Sequence, residues 1–574
     1  MRRKTRLFFD TVLLGIIGAL GAQLFGFLLK LAQTLFLNDA AGYQAPGLPN
    51  EGGILIQTIG SHGLWLIPVV ITLGGIISGA LVYGFAPEAE GHGTDTAVKA
   101  FHKDGGKIRA RVVPIKILAS AITIGSGGSA GREGPTALFS AGFGSIYAGL
   151  THRSEKDRSL LVLIGMAAGL SAIFRSPIGT AIFAVEVLYS DMEFESEALV
   201  YTMLGAVIAY SVNAFFVGWN PLFQIPVSIN VTGALSYVYY VLLGLTSGLA
   251  GAFIPMVFYT TRDLFYKIKL PRFLKPALGA LCVGLIALFL PQVLGGGYGW
   301  MQFVINGKLA LSLLIILMFG KLVAFALTVS SGGSGGVFAP TLFLGAMLGG
   351  IFAQLFHQQP AAFAVIGMAA VFGSAARVPI ATLLMVTEMT NGYQLLVPAA
   401  LAVIIGFVIQ KVICSSLNLK YISLYEAQVK NKWLSPAHRT EQIKRAAILL
   451  SERRTFDPEI VGKLDLSSVL ESRIPVEISN GKIMFLINVF PGNEYIGKKL
   501  NDTRIFGPDH ECEIVALLRD EEMLVPHHTL KIQPEDQLLI ISDKILFEKI
   551  REKFLLKKEN KKGILGKFKV LKNK

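Results

Sequence analysis

The sequence predicts an all-α polytopic membrane protein written as two copies of one half, followed by a small cytosolic α+β domain. Three observations carry this reading. Hydrophobic residues make up 52% of the 574 and charged ones 16%, giving a mean hydropathy of +0.55, more apolar than a water-soluble globule. Long stretches of the first half recur in the second. After Tyr425 the apolar runs stop and short alternating ones begin.

Apolar runs of spanning length lie at roughly 9–30, 63–86, 161–188, 197–218, 235–259, 274–294, 310–329, 363–390 and 396–416. Shorter pieces at 136–151 and 341–357 read as partial spans. The net charge of +14 is concentrated near the ends: Arg2, Arg3, Lys4 and Arg6 precede the first span, and the chain closes on KKENKKGILGKFKVLKNK. Lys/Arg excess marks the cytoplasmic side, so both termini are expected inside a plasma (inner) membrane and the number of crossings even. Topology and anionic lipid account for this basicity, and no nucleic-acid partner is expected. The first apolar run is long and further spans follow it, so it reads as a retained span and not as a signal peptide. Cys282, Cys414 and Cys512 are far apart and suggest neither a disulfide framework nor a zinc site.

KILASAITIGSGGSAGREGPT (Lys116 to Thr136) aligns without gaps to KLVAFALTVSSGGSGGVFAPT (Lys321 to Thr341). IGMAAGLSAIFRSPIGTAIFAVE (Ile164 to Glu186) aligns likewise to IGMAAVFGSAARVPIATLLMVTE (Ile366 to Glu388), and GHG at Gly91 to Gly93 pairs more faintly with GYG at Gly297 to Gly299. Residues 60–215 and 265–420 are therefore two halves of one duplicated domain. The copies differ at their centres, where Glu133 is replaced by Phe338.

Duplicated polytopic halves with Gly/Pro interruptions at matching places point to a transporter whose site lies at the repeat interface. Irregular backbone at membrane depth survives only where protein or a water-filled cavity satisfies it. A Gly-rich loop followed by Pro and an apolar run presents a helix N-terminus with free N–H groups and partial positive charge. Several such ends converging would hold an anion without a cationic side chain. The alternative is that the glycines serve only close helix packing. Glu133, an acid at membrane depth, is a functional candidate by default; the alternative is a first-turn Glu satisfied by its own backbone.

At these residues the sequence resembles the CLC family of chloride channels and chloride/proton exchangers. GREGP (Gly131 to Pro135), GVFAP (Gly336 to Pro340) and the late Tyr425 of SLYEAQ carry the likeness, which covers residues 10–430. The resemblance implies an inverted repeat of tilted and partial helices, assembled as a homodimer with one pore per subunit. It makes Glu133 the gating glutamate, a surrogate anion when ionised that swings away when protonated. Gly93, Gly131, Arg132, Gly134, Gly336, Val337, Phe338, Ala339 and Tyr425 would line the anion path. Lys116 leads into GREGP and is the one paired intramembrane charge expected to act electrostatically, the alternative being a tie to backbone carbonyls or a pairing with a buried acid.

Two departures stand out. The family's GSGIP motif is here GHGTD, which puts His92 at the anion-contacting Ser and Asp95 at the Pro. A neutral imidazole could donate an N–H and a protonated one would bind anions tightly, so chloride selectivity is left open against fluoride or nitrate; the other reading packs His92 against backbone. Val187 follows Glu186 where many exchangers carry a proton-transfer Glu. Valine relays no proton, so channel-like conduction with weak or absent proton coupling is expected, a coupled antiporter being the alternative.

Asn431 to Arg454 reads as a helical linker, extending to about 475. KIMFLINVF, CEIVALLRD, EMLVPHHTLKI and DQLLIISD read as strands, and ILFEKIREKFLLKK as a closing helix. The spacing of G-K-x-L, a strand ending in Arg, and I-x-P-x-D-x-L resembles the TrkA-C (RCK-C) module at 476–556, ahead of a basic tail at 557–574. That likeness implies dimerisation and, in some relatives, a cyclic di-AMP effector; no phosphate loop in the tail supports one independently. His527 and His528 point to opposite faces of a strand and read as solvated surface.

No cofactor, metal or catalytic group is expected. The Gly-rich loops lack the Lys-Ser/Thr of a P-loop, and no HExxH or Ser/His/Asp set occurs at catalytic spacing. A potassium-transport protein is the remote alternative, since a potassium filter needs four converging copies of a longer loop than GGGYG.

Overall fold

The structure is a computed structural model. It describes residues 3–61, 63–226, 233–432 and 435–438, and further on 476–477, 482–489, 496–499, 512–519, 522–524, 530–534, 536–543 and 546–547. Two compact units divide at Asn431/Lys432.

In the first unit the helices are α1 (Arg3–Gln33), α2 (Ile67–Phe85), α3 (Thr94–Lys103), α4 (Val112–Gly125), α5 (Glu133–Leu150), α6 (Glu155–Phe174), α7 (Pro177–Glu186) and α8 (Ser196–Val217). The second half continues with α9 (Ala234–Lys267), α10 (Lys275–Ala287), α11 (Tyr298–Ile305), α12 (Leu311–Ser330), α13 (Phe338–Leu355), α14 (Pro360–Ala376), α15 (Pro379–Thr390) and α16 (Leu396–Ser416). Among the described residues, eight helices are long and apolar enough to cross a membrane.

Two expected spans are in fact broken. The run 161–188 divides into α6 and α7, and 363–390 into α14 and α15. Arg175 and Arg377 close their helices in the left-handed conformation (φ 54° and 56°), and Pro177 and Pro379 open the next ones. Hydropathy cannot register such a break, because both flanks are apolar. The run 274–294 likewise holds only α10 and a short 3₁₀ turn. Helices α3, α4 and α11 were not expected; they are short, and α3 is largely polar.

The duplication is visible in the packing. Between α5 and α6, a Cβ on Gly144 would lie 2.1 Å from the Leu161 carbonyl, and one on Gly165 would lie 2.3 Å from that of Ser140. Between α13 and α14, Gly349 and Gly367 meet Phe363 and Gly345 at 1.9 and 2.3 Å in the same way. Small residues let these backbones touch where the hydrophobic effect gives helices no reason to associate.

The terminal glutamates of the second repeat also find their purpose. Glu186, ending α7, accepts the Ile380 and Ala381 amides at the start of α15 (3.1 and 2.6 Å). Glu388, near the end of α15, accepts the Ile178 and Gly179 amides at the start of α7 (3.2 and 2.9 Å), with the Ser176 hydroxyl at 2.6 Å. Each half caps the other's helix, carboxylate to N-terminus, which holds α7 and α15 antiparallel.

In the second unit, β strands Val476–Glu477, Lys482–Asn488, Cys512–Arg519, Glu522–Leu524 and Gln537–Asp543 form one antiparallel sheet, in the spatial order first, second, fifth, third, fourth. Ile483, Phe485 and Ile487 alternate onto one face with Leu538 and Ile540 as its core. The motif spacing noted in the sequence has a physical basis: Arg519 at the strand end grips Asp536 with two 2.8 Å bonds, and Asp536 also accepts the Gln533 amide. The helical linker over 439–475, His527 and His528, the closing helix beyond Phe547 and the basic tail lie outside the described residues.

The glycine packing gives a direct test. Gly349→Ala is expected to lower the thermal midpoint of the purified protein, at a cost of about 1–3 kcal/mol from overpacking. Gly26→Ala, where nothing lies within 4 Å of the added methyl, should leave the midpoint unchanged or raise it slightly.

Candidate functional site

The two repeats meet at the loops that begin α5 and α13. Gly131 and Gly336 exchange backbone hydrogen bonds across the interface, Gly131 N–H to Gly336 O at 2.8 Å and the reverse at 2.6 Å. The first intrahelical bonds come from Thr136 to the Arg132 carbonyl and from Thr341 to the Val337 carbonyl. The amides of Glu133 and Gly134 on one side, and of Phe338 and Ala339 on the other, therefore have no carbonyl within their own helix, and Pro135 and Pro340 add none. The start of α3 packs against the same point: a Cβ on Gly134 would sit 2.1 Å from the His92 carbonyl, and Gly93 (φ 87°) lies against Gly134. Gly335 N–H reaches Gly91 O at 3.2 Å, tying this loop to the second half.

Glu133 is 1% exposed and lies in this gap. Its carboxylate turns toward the amides of Glu133 itself and Ala339, yet neither oxygen completes a hydrogen bond. A Cβ on Gly131 would fall 2.1 Å from Oε2, so this glycine leaves the room the carboxylate occupies. An acid held by charge among helix starts, without fixed hydrogen bonds, is a side chain that another anion can replace.

On one side of the carboxylate stand Phe338, Tyr425 and His92. Phe338 packs on Phe174 and Phe372 (ring centroids 4.4 and 4.0 Å), while Tyr425 lies 5.6 Å from His92 and 6.1 Å from Phe183. On the other side Arg132 bonds Glu51 at 2.5 Å and stacks 5.0 Å over Tyr298. Arg175 holds the Asn50 carbonyl at 2.8 Å, so the 49–51 turn is fixed over this end by two arginines. Glu51 carried no sequence signal, because it reaches the site only through tertiary structure.

Lys116 is fully buried, and its ammonium donates to the carbonyls of Ala89 and Gly91 at 2.9 and 2.7 Å. Lys321 does the same to Val293 and Gly295, at 2.8 and 2.6 Å. Both lysines thus shape the loops before α3 and α11, the carbonyl tie that stood as the alternative to an electrostatic role for Lys116. The geometry also corrects the third repeat. Gly91 and Gly93 correspond to Gly295 and Gly297, which share positive φ (64° and 87° against 58° and 79°) and helix-start position, so GHG matches Gly295 to Gly297 and not GYG. His92 has Gly296 as its counterpart.

Val337, at the N-cap of α13, is buried with its side chain in the core. Val187 is also buried, at the end of α7, and its amide bonds Phe183 at 2.9 Å. A cavity of about 360 Å³ opens beside His92, lined also by Glu90, Asp95, Tyr259 and Arg262. Asp95 was noted only as a departure from the family pattern. It proves to be a junction, accepting the Glu426 and Ala427 amides (3.2 and 3.1 Å) next to Tyr425 and meeting His92 Nε2 at 3.1 Å.

Comparison with known proteins fits this geometry. The family model "Voltage gated chloride channel" matches residues 74–411, and "TrkA-C domain" matches 484–555. A putative chloride channel protein ClcB-like from Ralstonia nicotianae is 30% identical over 368 residues, covering 62% of this chain and 84% of that protein. The H(+)/Cl(-) exchange transporter ClcA of Salmonella arizonae is 30% identical over 362 residues, 60% of this chain and 76% of that protein. Among solved structures, a CLC-type fluoride/proton antiporter superposes with a TM-score of 0.63 at 24% identity, covering 75% of this chain and 99% of that one. A slow cyanobacterial Cl-/H+ antiporter gives 0.62 at 22%, covering 73% and 96%; at such identities these two speak for the fold alone. With more than half its length matched by the family model and the two helix starts facing each other around Glu133, the chain belongs to the CLC family of membrane anion-transport proteins and carries a TrkA-C domain behind the membrane unit.

Proposed function

We propose that this protein is a coupled chloride/proton antiporter in which Glu133 is the group that both ions act on. The observation that carries the reading is the buried Glu133 carboxylate, unbonded, among the free amides of α5 and α13. Ionised, it is a tethered anion in a seat built for anions. Chloride and the charged carboxylate exclude each other from that seat, and a proton on Glu133 removes the carboxylate's attraction to it. Occupancy by one ion thus changes affinity for the other, the linkage that exchange requires. The names of the relatives support coupling more than the channel-like conduction expected from Val187.

Val187 favours the second reading, a passive chloride conduit, because it is buried and cannot titrate where an inner proton group is expected. In either mode, Gly93, Gly131, Gly134, Gly336 and Ala339 bring backbone to the ion, Phe338 and Tyr425 wall the path, Arg132 faces its far mouth, and Lys116 holds the His92 loop. His92 sets selectivity between chloride and other anions. Basic residues gather at the ends of α3 and α9 and before α10, which supports placing that end and both termini in the cytoplasm of a plasma (inner) membrane. The protein works as a homodimer, with 476–556 as a regulatory domain that takes cyclic di-AMP.

Vesicles containing the purified protein separate the modes. An imposed chloride gradient is expected to drive protons uphill, and Glu133→Gln to abolish proton movement while chloride still passes. Rapid wild-type chloride flux without proton movement would overturn coupling and favour the conduit. For the regulatory domain, cyclic di-AMP is expected to raise the thermal midpoint of the full-length protein; an unchanged midpoint at saturating concentration would remove it as an effector.

A further inference from the structure

His92 and Asp95 make an arrangement that the duplicated scaffold does not require, since the matching position is Gly296. Asp95 accepts a backbone amide on each oxygen, Ala427 on Oδ1 and Glu426 on Oδ2, and as a carboxylate it has only acceptors to offer a third partner. Facing that carboxylate at 3.1 Å, His92 Nε2 is assigned as the N–H donor to Asp95 Oδ2. In the neutral ring this leaves Nδ1 as a bare lone pair. Nδ1 is buried and has no hydrogen-bond partner, on a residue 7% exposed. A neutral His92 consequently presents no N–H to an anion, and an orphaned acceptor in a closed site is costly.

We propose that His92 is a proton-dependent anion ligand: its Nδ1 takes a proton from the adjoining cavity as chloride arrives, and the imidazolium, steadied by Asp95, binds the anion. The step forms an N–H bond at Nδ1 as one O–H bond of a hydronium ion in the cavity water breaks, leaving a neutral water molecule. The surroundings fit such a role. Within the cavity, Glu90 and Asp95 supply negative charge, and Arg262, Arg272 and Lys275 supply positive charge; Tyr83, Tyr259 and Tyr266 complete its titratable lining. Arg262 is paired with Glu426 at 2.5 Å, and the Lys275 ammonium is taken by the Phe265 carbonyl at 2.7 Å. Lys116 stands behind the loop on the Gly91 carbonyl, and Tyr425 faces the ring at 5.6 Å. Glu133 begins the helix on which the His92 carbonyl rests. The proposal rests on the anion-transport reading above and deepens it, giving the path an inner proton-binding group where Val187 offers none.

Chloride-binding calorimetry tests it on the purified full-length protein, from pH 5.5 to 8.5, in pairs of buffers with different ionisation heats. Glu133→Gln serves as the background, so that protons taken up by the gating carboxylate do not count. In that background, chloride binding is expected to bring about one proton per anion, with affinity falling about tenfold per pH unit wherever that uptake is complete. Adding His92→Ser should abolish proton uptake and flatten the pH dependence while binding persists. Adding Asp95→Asn should reduce the proton uptake per chloride at the upper end of the pH range, a readout that stands even if the Ser variant does not fold. Chloride binding in Glu133→Gln without proton uptake would overturn the proposal alone, as would a pH slope that survives His92→Ser. Absence of chloride binding in wild type at every pH would instead overturn the anion-transport reading on which it depends.

Discussion

Backbone N–H groups that have no carbonyl to bond, held where water is scarce, constrain everything else in the membrane unit. Helix starts normally satisfy such donors with a cap or solvent. Here the starts of α5 and α13 are joined to each other through Gly131 and Gly336, and their next amides are left facing one gap. A negative charge is the natural partner, and Glu133 supplies one of the right reach and no more. The glycines follow, because backbones must touch for the donors to converge. The prolines follow too, since a first-turn proline opens a helix without adding an orphan donor.

Comparing the halves separates scaffold from chemistry. What is written twice builds the frame: Lys116 and Lys321 tie equivalent loops, Arg175 and Arg377 turn equivalent corners, and Glu186 and Glu388 cap each other's helices. What is written once does the work. Glu133 corresponds to Phe338, an acid to an aromatic, and His92 corresponds to Gly296.

Much of this was legible in the sequence, because the hydropathy of spans and a gapless repeat both leave one-dimensional traces. GREGP and GVFAP stood out as a repeated Gly–Pro loop between apolar runs, and the structure brings the two loops together through Gly131 and Gly336. The rest needed three dimensions. Arg175 and Arg377 break helices that read as continuous, through a backbone angle that hydropathy does not record. GHG and GYG look alike as letters, yet the lysine bonds set the true register two residues away. Asp95 read only as a departure from the family pattern until the fold placed it on the amides beside Tyr425, and Glu51 left no trace before the fold brought it to Arg132. In the tail, Arg519 and Asp536 were visible as a motif, and only the sheet shows them as a pair.

The central claim is that an anion sits where the Glu133 carboxylate now lies. A crystal of Glu133→Gln grown in bromide, with data collected at the bromine edge, tests it most directly. The account predicts an anomalous peak between the starts of α5 and α13, within hydrogen-bond reach of the Phe338 and Ala339 amides. An empty gap at saturating bromide, or bromide bound only away from those amides, would contradict it.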